Sequence, residues 1–394
     1  VLPMRPNYHK SAWKNWLNDP NGLIFLDGTY HAFYQHHPDG HHWGPMHWGH
    51  VTSKDLYRWK HEPIALYPDE GGTIFSGSAI LDENNVSGLG PEGSSPLLVY
   101  YSRHTEEGYQ DQCLAYSLDG YKFEKYINNP IIENYGIADF RDLKVFYYEA
   151  DQSWKMILSV KDHIEIYGST NLIDWTHLSD FKTDEVYPGV WECPDLFPLN
   201  YEGETCWVLI LSVGSKPELG NTLTQYFIGD FDGKTFTLRP TTTDPRLIDE
   251  GTDNYASVSF SHTQDVILLG WALDGLYAPD TPDHGYCGQF TGPRTPFLYK
   301  DKDGKLSLGF KMIPLPADIG RSEILLDQEG QAALPEQALF MQFKAQAGED
   351  FSLKLYNETG EEVSFSRQAD TLELNRAKAV AEVDSQYMDW DIYQ

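Results

Sequence analysis

Three acidic residues stand at the head of short apolar runs that lie far apart in the sequence. Asp19 lies in Asn-Asp-Pro-Asn-Gly ahead of Leu23, Asp142 ends Phe-Arg-Asp ahead of Leu143, and Glu192 opens Glu-Cys-Pro-Asp-Leu-Phe. Two carboxylates in one pocket can hydrolyse a glycosidic bond, since one attacks the anomeric carbon and the other protonates the leaving oxygen. Clustered carboxylates also repel one another, which separates their pKa values and lets one keep its proton near neutral pH. This chemistry requires a fold that brings the three runs together.

Each of these acids also has an ordinary structural interpretation. An aspartate at a strand end is more often a turn residue than a catalytic group, and Asp19 inside Asn-Asp-Pro-Asn-Gly especially fits that interpretation. The common placement of three acids ahead of three separate runs favours the functional interpretation. Glu192 lies between Trp191 and Cys193, and these two neighbours predict hydrophobic surroundings for its carboxyl group.

Runs with a polar head occur five times, which indicates a repeated unit. Their key positions are residues 19, 76, 142, 192 and 255, at intervals of 57, 66, 50 and 63 residues. Units of this size, built from β-branched and aromatic runs with Gly and Asp turns, are typical of four-stranded propeller blades. We therefore predict an all-β chain with a five-bladed β-propeller over residues 1–315. The innermost strands of a propeller line its central channel, so the three acids are expected to converge at one end of the axis.

A second pattern, Ser-x-Asp-x-x-x-aromatic, interleaves with the first. Its copies begin at Ser53, Ser117, Ser169 and, in weaker form, Asp230. Asp or Asn with Gly supplies a turn and the aromatic side chain packs beneath it, so each copy predicts a turn between two strands.

The Pro-rich segment 313–317 predicts the end of the first domain. Alternating runs at Phe351–Tyr356 and Thr371–Leu374 predict a second β-module over residues 316–394. This is short for a two-sheet sandwich of about 100 residues, so we expect an incomplete β-sandwich. An incomplete sandwich exposes a sheet edge, which leaves homo-oligomer formation open.

Charge and composition exclude several classes of partner. Lys and Arg number 29 against 59 Asp and Glu, for a formal net charge of −30. That balance disfavours nucleic acid and anionic membranes as partners, and no stretch approaches the roughly 20 apolar residues of a membrane span. The four cysteines form no CxxC pair and predict neither a disulfide framework nor a zinc site, which favours a cytoplasmic location. The chain begins at Val1 rather than Met, so secretion of a processed chain stays open.

Eight of the 14 histidines fall between His31 and His61. Imidazole is a common metal ligand, but no ligand spacing with a third carboxylate stands out. We expect this segment to form a wall of the pocket, with no metal and no cofactor.

Nine boxes along the chain, taken together, resemble glycoside hydrolase family 32, the family of invertases, sucrose-6-phosphate hydrolases and fructan hydrolases. The resemblance covers about residues 8–315, and its boxes are Trp16–Gly22, Phe33–Gln35, Trp43–His50, Ser53–Trp59, Phe75–Ser78, Phe140–Asp142, Trp191–Pro194, Tyr226–Gly229 and Gly270–Trp271.

The resemblance implies a role for each matching residue. Asp19 would be the nucleophile that forms a fructosyl ester, and Glu192 the general acid that later activates water. Asp142, helped by Arg141, would bind fructose hydroxyls and stabilise the oxocarbenium-like transition state. The expected substrate-binding residues are Asn18, Gln35, Trp43, Phe75, Ser76, Arg141, Tyr255 and Trp271.

The expected activity is that of a retaining β-fructofuranosidase acting on a small-molecule sugar: sucrose, sucrose-6-phosphate or a fructo-oligosaccharide. The net charge disfavours the phosphorylated substrate unless local basic groups offset it. A fructosyltransferase or a fructan exo-hydrolase of the same fold is an alternative, as is an arabinan-cleaving propeller. A non-catalytic glycan-binding propeller is the alternative from another class, and such a protein need not keep all three carboxylates.

Overall fold

The computed structural model of the chain is all-β, and one 3-10 helix, Ala278–Asp280, occurs among the residues that it describes. Those residues are 5–6, 8–214, 222–239, 246–249, 251, 253–275, 277–281, 283–319, 348–357, 360–369 and 371–375. The chain divides into two compact units, residues 1–323 and 324–394. No helix within the described ranges is long and apolar enough to cross a membrane.

Five sheets make up the described part of the first unit, in chain order. The first sheet holds β1 (Asn15–Leu26), β2 (Thr29–His37), β3 (His47–Ser53) and β4 (Trp59–Leu66). The second holds β5 (Thr73–Leu81), β6 (Leu97–His104), β7 (Gln110–Ser117) and β8 (Glu124–Lys125). The third holds β9 (Phe140–Tyr148), β10 (Ser153–Val160), β11 (His163–Ser169) and β12 (Thr176–Phe181).

The fourth and fifth sheets follow in the same order along the chain. The fourth sheet holds β13 (Val190–Tyr201), β14 (Glu204–Gly214), β15 (Leu223–Phe231), β16 (Phe236–Leu238) and β17 (Arg246–Leu247). The fifth holds β18 (Tyr255–Ser259), β19 (Leu268–Trp271), β21 (Arg294–Lys300) and β22 (Leu306–Met312). β20 (Tyr286–Cys287) lies between β19 and β21 in sequence, but it belongs to the first sheet, where it pairs in parallel with β1.

The first strands of the five sheets contact one another in a closed cycle. β1 contacts β5, β5 contacts β9, β9 contacts β13, β13 contacts β18, and β18 contacts β1. Residues distant in sequence therefore become neighbours around these five strands, which we call the inner strands.

Apolar side chains fill the spaces between neighbouring sheets. Between the first and second sheets, Phe33 and Trp48 pack with Val99 and Tyr101, all four being buried. Burial of such side chains contributes about 1.5–3 kcal/mol each. The packed faces hold the inner strands, and the polar groups on them, in fixed positions.

The Ser-x-Asp pattern forms turns, as predicted. In the first copy, the N–H of Leu56 donates to Ser53 Oγ at 2.8 Å and the N–H of Arg58 donates to Asp55 Oδ1 at 2.7 Å. Equivalent bonds occur at Ser117 with Asp119 and at Ser169 with Asn171.

The second unit shows one antiparallel sheet, of β23 (Phe351–Tyr356), β24 (Glu362–Gln368) and β25 (Thr371–Asn375). The strands predicted at 351–356 and 371–374 are present. The prediction of an incomplete β-sandwich over 316–394 concerns residues that lie mostly outside the described ones.

Candidate active site

Every inner strand loses its regular register at the residues that the sequence singled out. Bulges of this kind bend a strand and re-aim its side chains, and they are frequent next to active sites. The irregular intervals are Leu17 to Pro20, Ile74 to Gly77, Arg141 to Lys144, Glu192 to Asp195, and Tyr255 to Val258.

Three of these intervals contain a residue with positive φ, a conformation that side-chain-bearing residues adopt rarely. They are Asp142, Cys193 and Ala256, with φ of 67°, 46° and 52°. The N–H of Asp142 donates to Ser102 Oγ at 2.9 Å, and that of Ala256 to Ser212 Oγ at 2.9 Å. Each serine lies on the second strand of the preceding sheet, so packing between sheets supports the unusual backbone.

Asp19, on β1, has its carboxylate fixed by three side chains. Oδ2 accepts a hydrogen bond from Ser76 Oγ at 2.7 Å and lies 3.5 Å from Cys193 Sγ. Oδ1 accepts from Asn18 Nδ2 at 3.0 Å. Burial raises the pKa of Asp19 above its usual value, the Ser76 bond lowers it, and the charge of Glu192 raises it again.

Asp142, on β9, is buried and faces the same cysteine. Its Oδ2 accepts the backbone N–H of Cys193 at 3.2 Å and lies 3.6 Å from Cys193 Sγ. Burial raises the pKa of Asp142 to about 7, although Arg141 opposes the rise, and the charges of Glu192 and Asp19 add to it. One thiol therefore contacts the carboxylates of two different sheets.

Glu192, on β13, has both carboxylate oxygens engaged. Oε1 accepts from Arg141 Nη2 at 2.8 Å and Nε at 3.2 Å, while Oε2 accepts from the Tyr255 hydroxyl. Trp191 turns into the core instead. The prediction of hydrophobic surroundings for Glu192 was therefore wrong, because alternate residues of a strand point to opposite faces.

Arg141 and Tyr255 have protonation states suited to these contacts. Burial acts to lower the pKa of Arg141, but the neighbouring carboxylates of Glu192 and Asp142 raise it. Burial and the charge of Glu192 raise the pKa of Tyr255 well above its usual value, so it remains a hydrogen-bond donor.

Three more of the predicted substrate-binding residues, Asn18, Gln35 and Trp271, have defined contacts. Asn18 Oδ1 accepts from Trp16 Nε1 at 2.7 Å, which orients the Asn18 amide toward Asp19. Gln35 is buried, and its Nε2 donates to Asn21 Oδ1 at 2.8 Å. Trp271 is also buried, and its ring centroid lies 5.9 Å from that of Trp16.

Two aromatic residues stand beside Ser76. The Phe75 ring contacts Trp43 edge-on, with centroids 5.9 Å apart, and Trp43 is 53% exposed. The Phe75 ring also stacks on the His104 ring, with the ring centroids 4.6 Å apart and an interplanar angle of 3°. His104 was not predicted, and its position at the end of β6 carries no signal in the sequence.

Cys193 was predicted only as a neighbour of Glu192, yet it contacts both aspartates. Lys144 and Asp195 were also missed; they form a buried ion pair, with Nζ 3.3 Å from Oδ2. Both residues follow the predicted acids in the same apolar runs, but nothing in those runs indicates that they pair with each other.

One group within the described ranges has the composition of a metal site: His163, Glu165 and Asp180, on the two outer strands of the third sheet. Hydrogen bonds already engage its carboxylates, since Tyr135 and Tyr167 donate to Glu165 and His177 Nε2 lies 2.6 Å from Asp180. The N-terminal histidines include a stacked pair, His31 and His50, buried beside Phe33.

Comparisons with known proteins give a consistent result. Residues 9–308 match the family model described as "Glycosyl hydrolases family 32 N-terminal domain". A levanase from Bacillus subtilis is 47% identical over 299 residues, which are 74% of this chain and 44% of that protein. This chain thus spans less than half the length of that relative.

Two solved structures are similar in fold. One is an exo-inulinase from Aspergillus awamori, with a TM-score of 0.73 and 35% identity over 79% of this chain and 67% of that one. The other is a β-fructofuranosidase from Schwanniomyces occidentalis complexed with fructosyl-erythritol, with a TM-score of 0.79 and 29% identity over 95% and 82%.

Proposed function

The chain belongs to glycosyl hydrolase family 32, and from this premise we propose that it is a retaining β-fructofuranosidase. It hydrolyses the terminal β-D-fructofuranosyl bond of sucrose or a related fructoside through a covalent fructosyl-enzyme intermediate. The observation that carries the proposal is the convergence of Asp19, Asp142 and Glu192, from three sheets, around Cys193 and Arg141.

In the first step, Asp19 attacks C2 of the fructosyl unit. The C2–O bond to the leaving group breaks, and Glu192 gives its proton to the departing oxygen. In the second step, Glu192 takes a proton from water, the water oxygen attacks C2, and the ester bond to Asp19 breaks. Fructose is released and Glu192 regains its proton, so the enzyme returns to its starting state.

Asp142 and Arg141 act on the transition state rather than by covalent chemistry. Positive charge develops on the fructosyl ring as the C2–O bond breaks, and a nearby carboxylate that is fixed in advance stabilises it. Asn18, Gln35, Phe75, Trp271 and the hydroxyl of Ser76 shape the fructose subsite, with Trp43 covering its open side. Aromatic faces pack on the C–H surface of a sugar while polar side chains bind its hydroxyls.

The five sheets form a five-bladed β-propeller in a first domain over residues 1–315, supported by the closed cycle of the inner strands. We further infer that the three-stranded sheet of β23, β24 and β25 belongs to a second module of the β-sandwich type. The four cysteines are free and buried, in keeping with the cytoplasmic location predicted above. Cell fractionation tests that location, and size-exclusion chromatography tests homo-oligomer formation.

The decisive experiment is a hydrolysis panel of sucrose, sucrose-6-phosphate, 1-kestose, inulin and levan, with glucose and fructose measured separately. The wild-type chain releases fructose, whereas Asp19→Asn and Glu192→Gln do not. Glu149→Gln, at an exposed position, is the matched control and retains activity. An excess of glucose over fructose from sucrose indicates fructosyl transfer, and full activity of either site variant rules out the assigned roles.

A further inference from the structure

Further along three inner strands, a second polar cluster joins the sheets. Lys144 of β9 pairs with Asp195 of β13, Nζ to Oδ2, at 3.3 Å. The same Nζ donates to the carbonyl oxygen of Ser259 of β18 at 2.6 Å and contacts its Oγ at 3.1 Å. The N–H of Ser259 donates to Asp195 Oδ2 at 2.5 Å. These three residues, the inter-sheet triad, form a closed triangle of contacts across three sheets.

The triad is buried, so its charges depend on one another. Asp195 has 0% of its surface exposed, and Lys144 and Ser259 have 7% each. Oδ1 of Asp195 has no hydrogen-bond partner within the described ranges. A buried charge that loses its partner is strongly destabilising, whereas an uncharged pair of similar volume is often tolerated.

Each member of the triad shares a strand with a group of the candidate active site. Lys144 comes two residues after Asp142, Asp195 three after Glu192, and Ser259 four after Tyr255. The register of all three strands is irregular between those positions. A bulge interrupts locally the hydrogen-bond ladder that joins each inner strand to its own sheet, and β9, β13 and β18 belong to three different sheets that share no ladder. Contacts such as those of the triad therefore hold these three strands relative to one another.

The triad and the contacts of Glu192 join the same pairs of strands. Arg141 of β9 contacts Glu192 of β13, and Lys144 of β9 likewise contacts Asp195 of β13. Tyr255 of β18 contacts Glu192 of β13, and Ser259 of β18 likewise contacts Asp195 of β13. A sliding of one inner strand past another would therefore alter both sets of contacts together.

We propose that Lys144, Asp195 and Ser259 are positioning residues that set the spacing of Glu192 from Arg141 and Tyr255, an inference that rests on the proposed function of Glu192. A misplacement of about 1 Å in a catalytic constellation can cost on the order of 100-fold in rate. The triad thus acts on proton transfer through the geometry of Glu192 and its two partners.

The test uses Asp195→Asn, Lys144→Met and the double variant in the full chain. Both single variants lower kcat per folded molecule about tenfold or more while KM changes less than about threefold. They also shift the pH profile of kcat/KM, a readout that loss of stability alone does not move. The double variant removes both charges, so it regains thermal stability while kcat stays low.

Leu298→Ala is the matched control, because Leu298 is buried in β21 and outside the triad. It lowers stability but leaves kcat per folded molecule and the pH profile unchanged. Should a single charge variant fail to fold, Ser259→Ala removes only the hydroxyl contact and lowers kcat about threefold. Unchanged kcat and an unchanged pH profile in every variant that folds overturn the proposal.

The outcome separates this proposal from the proposed function. If the wild-type chain releases fructose and the triad variants do so equally well, the triad proposal fails and the function stands. If the wild-type chain cleaves no fructoside, the function fails. The triad is then judged by crystal structures of the wild type and the double variant, where the 2.8 Å contact between Arg141 and Glu192 should be present in the first and lost in the second.

Discussion

The Tyr255 hydroxyl, from the fifth sheet, donates a hydrogen bond to Oε2 of Glu192 in the fourth. Arg141, from the third sheet, binds Oε1 at 2.8 Å. The carboxylate of Glu192 is therefore oriented by two different sheets, although it lies at the edge of a bulge. Orientation of this kind serves proton transfer, which requires a group within hydrogen-bond reach of the reacting oxygen.

Tyr255→Phe removes the hydroxyl and keeps the ring. We expect kcat for sucrose to fall about tenfold, because Glu192 loses one of the contacts that orient it. The thermal midpoint should change little, since the ring stays packed. Tyr226→Phe, a buried tyrosine of β15 outside the site, is the control and should retain wild-type kcat. Wild-type kcat in Tyr255→Phe would contradict the orienting role.

Ser76→Ala removes the 2.7 Å hydrogen bond to Oδ2 of Asp19. That bond lowers the pKa of Asp19, so its loss raises the pKa further. A nucleophilic carboxylate must be ionised, and the acid limb of the kcat/KM profile should therefore move up by about half to one pH unit. Ser78→Ala is the control, because the Ser78 hydroxyl bonds to the backbone of Val145 instead. An acid limb at its wild-type position in Ser76→Ala would contradict this reasoning.

Asp142 links the candidate site to stability. Burial raises its pKa from 3.8 to about 7 in the folded chain, so the folded state binds this proton more tightly than the unfolded state. The resulting stabilisation is complete below about pH 4 and is lost as the pH rises to about 7. We expect the free energy of unfolding to fall by roughly 2–4 kcal/mol across that range from this group.

Asp142→Asn should remove that pH dependence. The variant is expected to unfold at a higher temperature than the wild type at pH 8, with little difference at pH 4, while its kcat falls at least about 100-fold. Thermal unfolding at both pH values measures the first effect. Glu149→Gln, on the surface, leaves the pH dependence in place. If Asp142→Asn is less stable than the wild type at pH 8, the buried charge is not a source of instability.

Much of the site follows from the sequence, because the polar heads of the five runs coincide with the five inner strands. Asp19, Ser76, Asp142, Glu192 and Tyr255 all lie within or at the edge of an irregular interval. A repeat of similar units is enough to predict this convergence, since each unit contributes the same strand to the centre.

The pairing within the site does not follow from the sequence. The contact between Arg141 and Glu192 joins residues 51 positions apart, and composition gives no reason for that partner over another. The positive φ of Asp142 depends on Ser102, on a different sheet. Such conformations persist where surrounding contacts enforce them, so a single strand pattern cannot predict them. The buried pair of Lys144 and Asp195 was missed for the same reason.

Trp43 offers a test of sugar binding that is separate from stability. It is 53% exposed and touches Phe75 only at the ring edge, so Trp43→Ala removes little buried surface. We expect its free energy of unfolding to change by less than about 0.5 kcal/mol. Loss of an aromatic face over the sugar should raise KM about tenfold, with a smaller change in kcat, because uniform binding of substrate and transition state is lost.

Trp13→Ala is the matched control, since Trp13 is 70% exposed and was not assigned to the subsite. Equal KM values in the two variants would remove Trp43 from the fructose subsite.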